Sequence, residues 1–362
     1  MDRAVCFAAA LWGALAFAAP LRVRVLEKER LDVARLKVSA KVACDGVAMT
    51  GGGELALRAM GTEVEVNEAF RCQELWTTEA TVRTERLTRV FRGRLRVAAA
   101  GGGLTFLNEV EVEEYLRGVV GAELAGPPAA LAAQAVVSRT FALASRGRHE
   151  LYGYDVCDLA HCQLYLGREK ERPDVDQAVK TTAGEVLYVG GVVLRAAYFH
   201  SSCGGHTSAA ADVFAEEGAV GGVNDTTARG PWCAAAPDFR WQWRMDRPSL
   251  ARALGLKSQG AAFEVLRRDR AGRAVEVRSF GTRFSGVDFL ARIGRAFGYH
   301  TLKGMKVSAE EVEGVVQFQG HGLGHGVGLC QHGALAMAHQ GLDYRRILAH
   351  YFPERTVAKP KP

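Results

Sequence analysis

Apolar and polar residues alternate with a period of two along most of the chain from Leu21 to about Leu107. LRVRVLE, RLKVSAKVA, EVEVNE, LWTTEATVRT and GRLRVAAA each place an apolar side chain at every second position, as half-buried strands do. Triple glycines at 51–53 and 101–103 are turn signals. Near Glu109 the period lengthens: Leu116, Val119, Val120 and Leu124 fall at helical spacing, and Pro127-Pro128 ends that helix and can start another. PAALAAQAVVSRTFALASR is Ala-rich and predicts a long helix. Beyond it the pattern predicts a helix and a hairpin about Gly190-Gly191, a Gly/Pro/Ala-rich loop over Asp225–Pro237, then strands and helices to about Phe318. The turn GHGLGHGVG follows, and it leads into the helix CQHGALAMAHQG, capped by Gly341. Strands clustered early and mixed elements later predict an α+β fold, a β-rich N-terminal lobe followed by a mixed α/β core.

The first twenty residues, MDRAVCFAAALWGALAFAAP, carry Arg3, an apolar run from Ala4 to Ala18, and Ala16-Phe17-Ala18 as an A-x-A site. This is the pattern of a cleavable secretory signal, and the run is too short for a stable membrane span. The expected organisation is therefore a signal peptide over 1–18, a β-rich part over 19–107, a core over 108–353 and a disordered tail over 354–362. The mature chain is expected to be exported, to the periplasm or cell envelope, with no membrane span after cleavage. The net charge of +6 is spread along the chain with no Lys/Arg block, which argues against a nucleic-acid partner.

Export permits disulfides, and seven cysteines follow the signal. Cys203 with Cys233, and Cys44 with Cys72, are candidate pairs. Cys330 is then left over as a small buried residue at a helix start. His149, Cys157, His161 and Cys162 place two imidazoles and two thiols within fourteen residues, a sufficient ligand set for tetrahedral zinc. A Cys157–Cys162 disulfide is the alternative. Four protein ligands leave no open coordination position, so such a zinc is expected to be structural.

One carboxylate stands where the pattern is otherwise apolar. At about 100° per residue, with Leu116 at zero, Val120 lies near +40° and Val119 near −60°. Glu123 lies at about −20°, in the middle of the apolar face. Burial there raises a carboxyl's pKa and suits it to act as a general acid. The competing reading is a Glu held by an arginine such as Arg139 for structural reasons.

VVGAELAGPPAALAAQAVVSRTFAL resembles the signature of the SpoIID/LytB family, a helix ending in a Glu, a Pro, and an Ala-Gln-Ala helix with an Arg-Thr. YDVCDLAHCQLYLG, AVKTTAGEVLYVGG, YFHSSCGGHTS and GHGLGHGVGLCQHGALAMAHQGLDYRRILAHYFP are similar to later blocks of the family, in its order, so that the likeness runs from about Arg22 to Pro353. Gly121-Ala122 stands where many members have Pro-Ser.

The resemblance implies a lytic transglycosylase acting on peptidoglycan glycan strands, with Glu123 as the catalytic acid and base and no catalytic cofactor. It also supports zinc at the Cys/His segment, since some members carry zinc in this block. Arg139, Ser201, Ser202, His325 and Gln331, by their places in these blocks, are expected to line a glycan-binding groove. The family also contains LytB-type proteins described as enhancers of a cell-wall amidase, which gives a second reading: a non-catalytic glycan-binding partner of such an amidase.

Overall fold

The computed structural model describes all residues except 1–18, 39–40, 50–52, 196, 216–219 and 361–362. The expected signal peptide therefore lies outside the described residues. Helices and strands mix throughout, and the fold is α+β. The chain divides into two compact units, one comprising residues 1–187 and 357–362 and the other residues 188–356.

The first unit contains two facing antiparallel sheets. In the larger, Leu21–Val25 pairs with Gly103–Val110, which continues to Arg94–Ala100, Glu74–Thr78, Val42–Cys44 and Val47–Met49. On its other side Leu21–Val25 pairs in parallel with Val156–Cys157. The second sheet runs Thr88–Val90, Ala80–Arg83, Val33–Val38, Gly53–Met60, Glu63–Val66, Phe70–Cys72. The predicted alternation is visible residue by residue. Leu104, Phe106, Asn108 and Val110 of one strand are buried while the residues between them are half-exposed. Val23, Leu36, Val64, Leu75, Val82, Leu95 and Val97 fill the space inside.

Among the described residues this unit holds the helices α1 (Val112–Glu123), α2 (Pro128–Ala144) and α3 (Pro173–Thr181). Pro128 is the first residue of α2, where its missing N–H costs nothing. Every residue from Ala130 to Ala142 is buried, so α2 is the axis against which α1 and α3 pack. The boundary expected near residue 107 falls inside this unit. The reason is the long-range strand pairing: Val23 and Arg24 sit beside Val156 and Cys157, which lie beyond both helices.

The second unit holds α4 (Ala210–Phe214), α5 (Arg247–Leu254), α6 (Gly286–Phe297), α7 (Gln331–His339) and α8 (Tyr344–Tyr351). Two three-stranded antiparallel sheets, 240–246 with 315–321 and 307–312, and 264–268 with 274–279 and 282–285, enclose Trp241, Leu250, Val277, Phe289, Ile293 and Phe318. Phe199–His200 and Leu329–Cys330 form a short parallel pair. That pair brings the YFHSSCGG turn beside the start of α7. Thr356–Ala358, expected within a disordered tail, form a strand.

Candidate functional site

Glu123 is the last residue of α1. Val119 and Val120 beside it are fully buried, while Glu123 itself is half-buried. Its Oε1 accepts a hydrogen bond from the main-chain N–H of Leu164, at 2.7 Å. Loss of water raises the carboxyl to about 6, against the opposing pull of the Leu164 N–H. At neutral pH a useful fraction is then protonated, as a proton donor needs.

Leu164 is held by its neighbours. Tyr115 of α1 donates to Gln163 Oε1 (3.2 Å), and the Gln163 amide donates to the carbonyl of Ser138 in α2 (3.3 Å). On the other side Tyr165 donates to Asn108 Oδ1 (2.9 Å). All these side chains are buried, so the amide aimed at Glu123 is fixed to both helices and to the sheet.

Gly118 and Gly121, poor helix formers on sequence grounds, have a packing reason. A Cβ at Gly118 would come 2.5 Å from the carbonyl oxygen of Gly167, and one at Gly121 would come 2.0 Å from that of Lys170. The 3₁₀ turn Gly167–Lys170 lies directly on α1 at these two positions. Arg172, just beyond it, donates to the carbonyls of Gly121 (3.1 Å) and Leu124 (3.2 Å), satisfying the end of the helix that carries Glu123.

Three of the four expected ligands, His149, His161 and Cys162, place one donor atom each within 4.8 Å of one another, a group that does not include Cys157. His149 Nε2 lies 3.4 Å from Cys162 Sγ, His161 Nδ1 lies 3.5 Å from the same sulfur, and Cys157 Sγ lies 3.8 Å from His161 Nδ1. Zn–S and Zn–N bonds of ordinary length in a tetrahedron separate ligand atoms by about 3.6 Å, close to the spacing of His149 and His161 from the Cys162 sulfur. Cys157 and Cys162 are free thiols. A hydrogen bond from Cys157 brings Cys162 down to about 7, so one ligand is readily a thiolate.

Arg139 is not on a groove. It is 1 % exposed, and its guanidinium is used internally. It pairs with both oxygens of Glu113 at 2.8 Å and donates to Thr182 and to the carbonyls of Glu185 and Val179. It therefore holds a glutamate structurally, as one reading of the sequence had it, but the glutamate is Glu113 and not Glu123.

Ser201, Ser202, His325 and Gln331 belong to the second unit. Ser201 is half-buried, and its carbonyl accepts from His332 N at the start of α7. Ser202 is fully buried, which corrects its assignment to a groove surface. His325 packs its ring near Tyr198, His200 and Phe214, and burial lowers it to about 4, leaving a neutral imidazole whose Nδ1 accepts from Val327 N. Gln331, the first residue of α7, is largely buried.

The cysteine pairing differs from expectation. Cys203 and Cys233 are free thiols with sulfurs 3.5 Å apart, well beyond a disulfide bond. Cys44 and Cys72 are also free, with Cys44 hydrogen-bonded to the Cys72 thiol. Leu164 and Arg172 carried no sequence signal, since one acts through its main chain and the other through a contact made by folding.

Residues 100–188 match the family model described as Stage II sporulation protein (SpoIID), a span that includes Glu123 and the Cys/His segment. An uncharacterized protein of Brachyspira hyodysenteriae is 29% identical over 270 residues, covering 72% of this chain and 70% of that protein. Stage II sporulation protein D of Bacillus amyloliquefaciens is 25% identical over 268 residues (68% and 74%), and that of Bacillus subtilis is 24% identical over 272 residues (70% and 76%).

Proposed function

The chain belongs to the SpoIID family, with a role related to the cell wall, and on that premise we propose that it is an exported lytic transglycosylase of peptidoglycan. The reaction cleaves the glycosidic bond between N-acetylmuramic acid and N-acetylglucosamine and leaves 1,6-anhydro-N-acetylmuramic ends. The observation that carries this reading is the desolvated carboxyl of Glu123, raised to about 6 and aimed by a fixed main-chain donor.

Glu123 protonates the glycosidic oxygen as the bond breaks. The carboxylate so formed takes the proton from the sugar's own C6 hydroxyl, which closes on C1 through an oxocarbenium-like transition state. A hydrolase needs a second carboxylate to direct water or to act as nucleophile. Here the nucleophile is tethered to the reacting ring, so its effective concentration is high and one carboxyl is enough. The Leu164 N–H stabilises the charged form and limits how far burial raises the pKa, keeping the group able to work in both directions.

Zinc at His149, Cys157, His161 and Cys162 would supply no reacting group. It would fix the segment that ends at Leu164, two residues after Cys162, and so hold the donor on Glu123.

The test is to give the purified protein peptide-free glycan strands and to search the products for 1,6-anhydro ends by mass spectrometry. The parent protein should make them, and Glu123→Gln should not. No anhydro product from the parent overturns the enzymatic reading and leaves enhancement of an added cell-wall amidase as the activity to measure.

A further inference from the structure

A second cluster of potential ligands lies in the other compact unit, apart from the Cys/His segment. Cys203, Asp225, Cys233 and Cys330 are all buried, and one ligand atom from each lies within 4.8 Å of all the others. The Cys203 and Cys233 sulfurs are 3.5 Å apart, and Cys203 Sγ is 3.0 Å from Asp225 Oδ2. Three thiolates and a carboxylate oxygen around a tetrahedral zinc would stand about 3.5–3.8 Å from one another, so only small adjustments are needed.

The surroundings are those of a ligand shell. Oδ1 of Asp225 accepts from Tyr351 Oη at 2.8 Å and faces His350 Nε2 at 3.0 Å, which turns Oδ2 toward the sulfurs. Gly333 makes room for this arrangement: a Cβ there would come 1.9 Å from Tyr351 Oη and 2.9 Å from Asp225 Oδ2. The Gly205 N–H points at Cys203 Sγ (3.2 Å) and the Cys203 N–H at Cys330 Sγ (3.3 Å). Cys330 is the N-cap of α7, so its sulfur sits at the positive end of that helix.

Three thiolates and a carboxylate carry more negative charge than one divalent ion cancels. Arg273, 1 % exposed, feels the charge of all three cysteines, and it donates to the carbonyl of Cys203 at 3.0 Å while its Nε has no partner. Lys306 donates to the carbonyl of Gly204 at 2.7 Å. The soft, sulfur-rich donor set selects zinc over the hard cations.

We infer that Cys203, Cys233, Cys330 and Asp225 bind one zinc ion, separate from the Cys/His site. It closes four coordination positions with protein ligands and has a structural role. It ties the turn after Phe199–His200 and the loop at 225–233 directly to the start of α7, and reaches α8 through His350 and Tyr351. Ser201 and Gln331 stand within two residues of its ligands.

The experiment is metal counting on the full chain purified under reducing conditions, by elemental analysis and native mass spectrometry. Cys330→Ser and Asp225→Asn should each lose one zinc equivalent per chain relative to the parent. A variant carrying His161→Ala and Cys162→Ser should keep that equivalent. If replaced by cobalt in this last variant, the ion should show strong thiolate-to-metal charge-transfer absorption, which Cys330→Ser weakens; this readout serves even where a cysteine variant folds poorly. Unchanged zinc content in both Cys330→Ser and Asp225→Asn overturns the proposal. So does a peptide map of the parent showing Cys203 bonded to Cys233.

Discussion

The main-chain N–H of Leu164 meets the carboxylate of Glu123 across 2.7 Å, joining residues 41 positions apart. One partner ends a helix and the other follows a Cys/His turn, so the acidity of Glu123 depends on two separately built segments.

Glu123→Gln keeps the size of the side chain and removes the proton. Glycan cleavage should fall by at least about 10²-fold, within the range that general acid–base groups supply. The fold should not suffer. Burial raises this carboxyl from 4.5 to about 6, so the charged form weakens the folded state as pH rises through that interval. Below 4.5 the variant and parent should be equally stable. Above 6 the variant should be more stable by up to about 2 kcal/mol, as denaturant unfolding at the two pH values will show.

The same shift sets the pH profile. The donor must be protonated in the free enzyme, so kcat/KM should decline as pH rises through about 6. An inflection near 4.5 would mean that the carboxyl is solvated as in a free peptide.

Gly121→Ala forces a methyl to within 2.0 Å of the Lys170 carbonyl oxygen. The 3₁₀ turn must move, at about 1–3 kcal/mol, and with it Arg172, which caps α1. Thermal unfolding should register the loss, and activity should fall with it. Gly221→Ala, where nothing lies within 4 Å of the added methyl, is the control and should change neither.

Cys162→Ser should release the zinc proposed at the Cys/His segment and reduce activity while far-ultraviolet circular dichroism stays near that of the parent. An ångström-scale shift of Leu164 would suffice for about a 10²-fold loss. Full activity in a metal-free Cys162→Ser protein would separate the segment from the chemistry.

Arg139→Met tests a structural role. Its removal takes one hydrogen bond from each of the carbonyls of Glu185 and Val179 and leaves the partly exposed Glu113 with the Gly184 N–H. A loss of about 2–3 kcal/mol is expected, with KM for glycan unchanged. A rise in KM at constant stability would return Arg139 to the substrate side.

Much of this was legible in the chain. Alternation announced strands such as Arg94–Ala100, and helical spacing put Glu123 on the apolar face of α1. Local spacing also put His149, His161 and Cys162 close together. What stayed hidden depends on distant segments. Arg139 has the same sequence context whether it meets a sugar or Glu113. Gly118 and Gly121 read as helix weakness until the turn at 167–170 is seen against them. Cys203, Cys233 and Cys330 offered a pair and a remainder, because nothing in the loop around Asp225 signals that its carboxylate joins all three.

The strand Leu21–Val25 is the earliest of the described strands to leave the ribosome, yet it sits inside its sheet, with Gly103–Val110 on one edge and Val156–Cys157 on the other. Its second edge stays open until more than a hundred further residues have been made, which is a slow, high-contact-order assembly. Cys157 lies on the strand that closes this edge, which ties the start of the Cys/His segment to the first of the described strands.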